Sequence, residues 1–132
     1  MSFTQQLQLV LGPASTLPPL IDLGEWSCSW ENDDFKIVRE WQPGFRKLSR
    51  DELMQLMRRL HDAPHAIVLN LYGHTFGEAV MREMAVPMAA LSKLQALFLS
   101  GNSIGAPGCI ALSSSLVHLS HLKVLHLRCE FV

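Results

Sequence analysis

The sequence is short of charge and of long apolar runs. Only 17% of its 132 residues are charged, and the net charge is −1. Nucleic-acid-binding proteins usually carry a basic excess, so this balance argues against nucleic acid as an obligatory partner. No run approaches the roughly 18 consecutive apolar residues that a membrane span needs. We therefore expect neither a nucleic-acid partner nor a membrane partner.

The sequence also lacks a recognisable secretion signal. A signal peptide begins with a basic segment, whereas no Lys or Arg precedes Lys36. The apolar run at residues 7–11 is interrupted by Gln8 and ended by Gly12 and Pro13. This run is too short and too poorly flanked to direct secretion, which predicts a cytoplasmic protein, with a nuclear location as the alternative.

Cysteine is scarce. Cys28, Cys109 and Cys129 form an odd, scattered set with no CxxC pair. Such a set is typical of reduced intracellular thiols and not of a disulfide framework.

Apolar residues, by contrast, recur at a fixed interval. Hydrophobic residues make up 48% of the chain, which is enough for one domain with a sizeable core. Leu94, Leu97, Leu99 and Asn102 are followed 28 positions later by Leu122, Leu125, Leu127 and Glu130. The same step upstream places Leu69, Leu71, Phe76 and Gly77 before Leu97, Leu99, Ile104 and Gly105. A fixed interval of this length predicts a repeat protein.

The stretch Leu91–Leu127 resembles the leucine-rich repeat family, and more narrowly its ribonuclease-inhibitor-like subtype. The match is good over Leu69–Leu127 and partial over Leu48–Pro64. The resemblance implies a short curved α/β solenoid of strand-turn-helix repeats, with a parallel sheet on the concave side. It also implies a role like that of family members such as NOD-like receptors and Ran GTPase-activating proteins, which bind protein ligands on the curved surface.

This resemblance divides the chain into two parts. Residues 1–47 are expected to form an irregular N-terminal cap, and residues 48–132 to hold the repeats. The repeat units are a partial repeat 48–65, repeats 66–93 and 94–121, and a truncated repeat 122–132. The cap contains every tryptophan of the chain, Trp26, Trp30 and Trp41. These side chains either cover the first repeat or form an interaction patch.

The segment before the partial repeat contains a possible additional strand. Phe35–Trp41 could be a degenerate strand of an initial repeat, because Trp41 lies 28 positions before Leu69.

The clearest helix signal of the sequence follows this segment. Ser49 and Glu52 have the spacing of a capping box, and leucines follow at helical spacing, which predicts a helix over residues 49–62.

The strand-to-helix turn has its own chemistry. Asn102, Gly105 and Gly108 are predicted to be structural turn residues. A short amide can bond the backbone of the turn, and glycine at 105 permits a conformation that a Cβ would resist. His74 occupies the position of Asn102 one repeat earlier, so the backbone groups of that turn must find other hydrogen-bond partners. Pro87 should end or kink the preceding helix near Val86.

The turn glycines allow a different hypothesis, a nucleotide-binding enzyme using Gly101–Gly108. Glycines that open a helix can direct backbone N–H groups at a phosphate. However, no Lys follows Gly108, so the GxxxxGK[ST] pattern is absent. A phosphate loop also has no reason to recur at a fixed interval. The repeat interpretation is therefore preferred, and a regulatory scaffold acting on a GTPase is kept as a further alternative.

Metal and catalytic sites are not expected. His61 and His65 are four apart, but Pro64 intervenes, and Cys129 forms only a loose cluster with three histidines. The histidines of that cluster are His118, His121 and His126. Cys109 lies at a helix start, which can lower a thiol pKa, but no base accompanies it in sequence. Ser113–Ser115 are predicted to form a solvated helix face. We predict no catalytic residue, no metal and no cofactor.

The concave face of the sheet remains as the candidate site. Strand alternation directs two side chains of each repeat outward, in two neighbouring columns. One column is Asn70, Phe98 and His126, and the other is Tyr72, Ser100 and Arg128. Aromatic residues and arginine are enriched at binding interfaces, although a solenoid must expose something there and the columns could be idle. The prediction is a non-catalytic module that binds a protein partner of unknown identity.

The last strand supports two further hypotheses. No helix follows it before Val132, so its edge is expected to be open to self-association. A solenoid also needs terminal caps with a polar outer face. The missing cap suggests a fragment or isoform of a larger signalling or regulatory protein.

Overall fold

The computed structural model describes residues 20–31, 34–42, 45–62 and 66–127, which contain six strands and three helices. The strands are β1 (Leu20–Asp22), β2 (Trp26–Glu31), β3 (Asp34–Trp41), β4 (Val68–Asn70), β5 (Ala96–Phe98) and β6 (Val124–His126). The helices are α1 (Arg50–Asp62), α2 (Gly77–Met88) and α3 (Gly105–Leu116).

Four of the strands form one parallel sheet in the order β1-β4-β5-β6. Leu69 pairs with Leu97, and Leu97 pairs with Leu125, so the register advances by a constant 28 residues. A helix connects each of these strands to the next, as parallel pairing requires. The prediction of an α/β fold with a parallel sheet is confirmed.

The first connection of the sheet is longer than the others. Ile21 pairs with Leu69, which follows it by 48 positions, 20 more than the later interval. The antiparallel hairpin of β2 and β3 lies within this connection. The expectation that Phe35–Trp41 is the strand of an initial repeat is therefore wrong. That segment pairs with β2 outside the parallel sheet, and β1 takes the place beside β4.

Helix α1 begins where its capping residues predict. The Glu52 backbone N–H donates to Ser49 Oγ at 3.2 Å, and the Ser49 N–H donates to Glu52 Oε1 at 2.9 Å. Arg46 adds two bonds to the same carboxylate, at 2.9 and 2.7 Å. The predicted helix over residues 49–62 is confirmed, with Ser49 as its N-cap.

Helices α2 and α3 start at equivalent glycines and lack a side-chain cap. Helix α2 ends at Met88, one residue past Pro87, which agrees with the predicted end near Val86. The loss of one backbone bond near a helix end is tolerated more easily than in the interior. Within the described residues, no helix is long and apolar enough to cross a membrane.

The main core lies between the helices and the sheet. Each helix contributes a buried stripe, such as Leu56 of α1, Met84 of α2 and Leu112 of α3. These side chains pack against the buried strand residues Leu69 and Leu97. A smaller apolar cluster occupies the other face of the sheet, formed by Val68, Ala96 and Phe98 with the partly buried Ile67 and Val124 against it.

Candidate protein-binding surface

Asn102 joins two successive turns of the sheet edge. Its Nδ2 donates to the carbonyl oxygens of Leu71 at 2.7 Å and Leu99 at 2.8 Å. Its Oδ1 accepts the N–H groups of His74 at 2.8 Å and Thr75 at 3.0 Å. The side chain is fully buried, so these bonds satisfy backbone groups that would otherwise be costly to bury. Asn102 is therefore a structural turn residue, as predicted.

The turn conformation recurs from one repeat to the next. Positive φ angles occur at Gly73, Thr75 and Gly77, and again 28 positions later. The later residues and angles are Gly101 (+76°), Ser103 (+53°) and Gly105 (+62°). Gly108 differs, since it lies inside α3 and not in the turn. The turn after β4 follows the same backbone path, although Val80 takes the place of Gly108 there. The path of the Gly101–Gly108 segment is therefore a property of the repeat and does not require a bound phosphate.

His74 fills the position of Asn102 in the preceding turn. Its Nδ1 accepts the Leu48 N–H at 3.1 Å, so Nε2 carries the proton and donates to the Leu23 carbonyl at 2.6 Å. Burial lowers the pKa of His74, against the hydrogen bond to Leu23, which raises it. The positive charges of Arg46 and Lys47 lower this pKa further. The neutral imidazole thus ties β1 to the segment that leads into α1.

The two predicted binding columns are not equally exposed. Asn70 and Phe98 are fully buried, and Ser100 is 5% exposed. Their expected exposure is a wrong prediction, because both faces of β4 and β5 are covered, as is common for parallel strands. Phe98 belongs to the second apolar cluster and also meets the His126 ring edge-on at 5.0 Å. These three residues cannot form a surface in this conformation.

Asn70 has a structural role that the sequence pattern did not indicate. Its Nδ2 donates to Asp22 Oδ1 at 2.7 Å and to the Trp26 carbonyl at 2.8 Å. Gln42 reaches the same Asp22 oxygen at 2.8 Å and the Gly24 carbonyl at 2.9 Å. These bonds fasten both ends of the β2–β3 hairpin to the sheet. The side chains of Trp30 and Trp41 lie outside the described residues, so the two hypotheses for the tryptophans remain predictions.

Of the six predicted residues, two present surface within the described chain. Tyr72 is half-buried and His126 is exposed. Arg128 lies outside the described residues. The surviving candidate surface is therefore small: Tyr72 follows β4 in the interior of the sheet, and His126 lies on the end strand β6.

That end of the sheet is more open than its interior. Leu94, Leu97 and Leu99 are fully buried. Their equivalents 28 positions later are only partly covered, namely Leu122, Leu125 and Leu127. Leu125 is 36% exposed, although it pairs directly with the fully buried Leu97. The contrast arises because β6 has a neighbouring strand on one side alone within the described sheet.

Helix α3 shows the same contrast with α2. Met81, Ala85 and Met88 of α2 are at most 6% exposed. Their equivalents on α3 are less covered, namely Cys109, Ser113 and Leu116. Val117, just past the helix, is 77% exposed. The apolar side chains of this end are Leu116, Val117, Leu122, Leu125 and Leu127, and we call them the open end surface.

The serines of α3 do not form one solvated face. Ser113 and Ser114 are exposed, as predicted, but Ser115 is buried. Its hydroxyl donates to the Ala85 carbonyl of α2 at 2.5 Å. The predicted solvation of Ser115 is wrong because this position faces the neighbouring helix.

The other candidate residues are histidines and cysteines, of which the described chain contains a part. No group of three or more His, Cys, Asp or Glu side chains lies close enough there to hold a metal ion. His65 and Cys129 fall outside the described residues. Cys109 is disulfide-bonded, so the prediction of three reduced thiols is wrong for this residue.

Comparisons with protein-family models, with curated proteins and with solved structures find no match to this chain.

Proposed function

We propose that this chain is a leucine-rich repeat unit of the ribonuclease-inhibitor-like subtype, and that it acts as a non-catalytic protein-binding module. The constant 28-residue register of β4, β5 and β6 supports the repeat assignment. The recurring positive φ angles and the bonds of Asn102 across two turns support it as well. In this proposal the β2–β3 hairpin is an insertion into the first repeat.

The observation that supports the binding role is that β6 is exposed, whereas the neighbouring strand β5 is buried. His126 is exposed, whereas Phe98, its partner in the register, is fully buried. Exposed apolar and aromatic surface at the end of a sheet is typical of an interaction site. The proposed binding surface therefore consists of Tyr72 and His126 on the sheet face, together with the open end surface.

A cytoplasmic setting, with a nuclear one as the alternative, belongs to the same proposal and rests on the lack of a secretion signal, although the disulfide of Cys109 is unusual in those compartments. Membership of a larger signalling or regulatory protein is proposed as well. The alternatives of a GTPase-regulating scaffold and of a nucleotide-binding enzyme have no observation in their favour. The turn at Gly101–Gly108 repeats the path of the preceding turn, so we propose no nucleotide there.

Affinity capture of the tagged chain from its source cells, with quantitative mass spectrometry, tests the binding role. We expect at least one captured protein to be lost when Tyr72→Ala and His126→Ala are combined. The control Val86→Ala removes a side chain that is 78% exposed on α2, away from this surface, and should retain that protein. If the parent chain, the double variant and the Val86→Ala control all captured the same proteins, the proposal would be contradicted. The purified candidate should then bind the double variant at least ~10-fold more weakly.

A further inference from the structure

We propose that the open end surface binds a second copy of this chain, through antiparallel pairing of the two β6 strands. The inference deepens the proposed function by naming its partner, and it rests on the exposure of β6. Three observations carry it: the direction of the free backbone groups of β6, the difference between the two ends of the sheet, and the residues that a twofold axis would place opposite one another.

The backbone of β6 has an unused side. The His126 carbonyl accepts the Leu99 N–H at 2.9 Å, and the Val124 N–H donates to the Gln95 carbonyl at 3.1 Å. Because a strand directs alternate residues to opposite neighbours, the backbone groups of Leu125 and Leu127 face away from β5. Within the described chain, no hydrogen bond reaches these groups from another strand. Such an edge is a template for strand addition.

The two ends of the sheet differ in polarity. Helix α1, at the β1 end, exposes Asp51 and Arg58 and has the half-buried Gln55 between them. Helix α3, at the β6 end, carries no charged residue at all. A head-to-tail contact would bury charges of α1 against apolar side chains, which is costly without partners. Joining two β6 ends instead buries apolar surface against apolar surface, in a closed twofold assembly.

The sequence of β6 suits a twofold axis through Leu125. Antiparallel pairing about this residue sets each Leu125 against its own copy. It also sets Lys123 against Leu127 of the other copy, and Val124 against His126. No two like charges lie directly opposite, and the Leu125–Leu125 pair adds to the core side of the sheet, where Leu97 already lies. The result is one continuous eight-stranded sheet.

Sedimentation equilibrium of the purified 132-residue chain tests this inference. We expect a concentration-dependent shift from the monomer mass of 14.8 kDa toward twice that value. Leu125→Lys places a charge in the pairing strand and should weaken the dimer at least ~10-fold. Val86→Lys makes the same chemical change at an exposed apolar residue of α2 and should leave the dimer unchanged.

Amide hydrogen exchange provides a second readout at the strand itself. The N–H groups of Leu125 and Leu127 should exchange more slowly as the chain concentration rises, and Leu125→Lys should abolish that dependence at Leu127. A chain that stays monomeric up to its solubility limit would overturn the inference. So would a dimer that survives Leu125→Lys. Neither result would touch the proposed function, because partner capture by Tyr72 and His126 is measured separately.

Discussion

His74 bonds the carbonyl of Leu23 as Asn102 bonds the carbonyl of Leu71, in each case reaching back to the preceding strand of the sheet. The two distances are 2.6 and 2.7 Å. The difference lies in the chemistry of the donor, because an amide does not titrate near neutral pH and an imidazole does. The turn after β4 is therefore sensitive to pH at a position where the following turn is not.

The free energy of unfolding should fall as the pH is lowered below about 6.5, the ordinary pKa of histidine. Burial holds the pKa of His74 lower in the folded state, so the unfolded chain takes up this proton first. The stabilisation is complete above the unfolded pKa and is lost as the pH falls toward the folded pKa. Urea unfolding at a series of pH values between about 7 and 5 measures the slope.

The variant His74→Asn separates this effect from other titrations. Asparagine can still donate to the Leu23 carbonyl but cannot take up a proton in this range. We expect the variant to lose most of the pH dependence between about 7 and 5 while remaining folded. An unchanged slope would assign the dependence to other groups.

Replacing Asn102 with alanine should destabilise the fold by about 2–4 kcal/mol. The change removes the side-chain partner of three backbone groups, the carbonyls of Leu71 and Leu99 and the N–H of His74, whereas the Thr75 N–H keeps its bond to the Gly101 carbonyl. Ser114→Ala, on the exposed face of α3, serves as the control and should stay within about 0.5 kcal/mol of the parent chain. Denaturant unfolding of both variants checks the difference, and equal stabilities would show that Asn102 is dispensable.

The carboxylate of Glu52 should remain ionised to unusually low pH. Two hydrogen bonds from Arg46, together with the Ser49 backbone N–H, lower the pKa of Glu52 to about 2. Its folded pKa lies below its unfolded value, so this stabilisation is present above about pH 4.5 and is lost as the pH falls toward 2. Carboxyl NMR titration measures this pKa directly, and Arg46→Ala should raise it. Titration near the ordinary value in the parent chain would contradict the predicted bonds.

Local signals made part of this fold predictable. The Ser49 and Glu52 spacing located α1 to within one residue, because a capping box is a property of four consecutive positions. The 28-residue recurrence of leucines likewise matched the register of β4, β5 and β6. One signal is short-range and the other is periodic, so both can be recognised in the sequence without knowledge of the tertiary structure.

Long-range features were not predictable in the same way. Ile21 and Leu23 have the spacing of Leu69 and Leu71, but the hairpin insertion places them 48 positions earlier, so the 28-residue interval does not predict them. The burial of Phe98 depends on which parts of the chain cover the second face of the sheet. Alternation within a strand defines two faces but does not tell which of them is exposed.

Gly108→Ala should destabilise the protein, although alanine is the better helix former. Helix propensity alone predicts a gain of about 0.8–1 kcal/mol at this position in α3. A Cβ at Gly108 would lie 2.8 Å from Ile104 Cβ, closer than packed atoms allow, and 3.4 Å from Met81 Cγ, a tight but ordinary contact. Overpacking of this kind costs about 1–3 kcal/mol, so we expect it to exceed the gain. Thermal and denaturant unfolding give the sign of the change. A more stable Gly108→Ala chain would mean that Ile104, at the start of α3, can shift to make room for the methyl group.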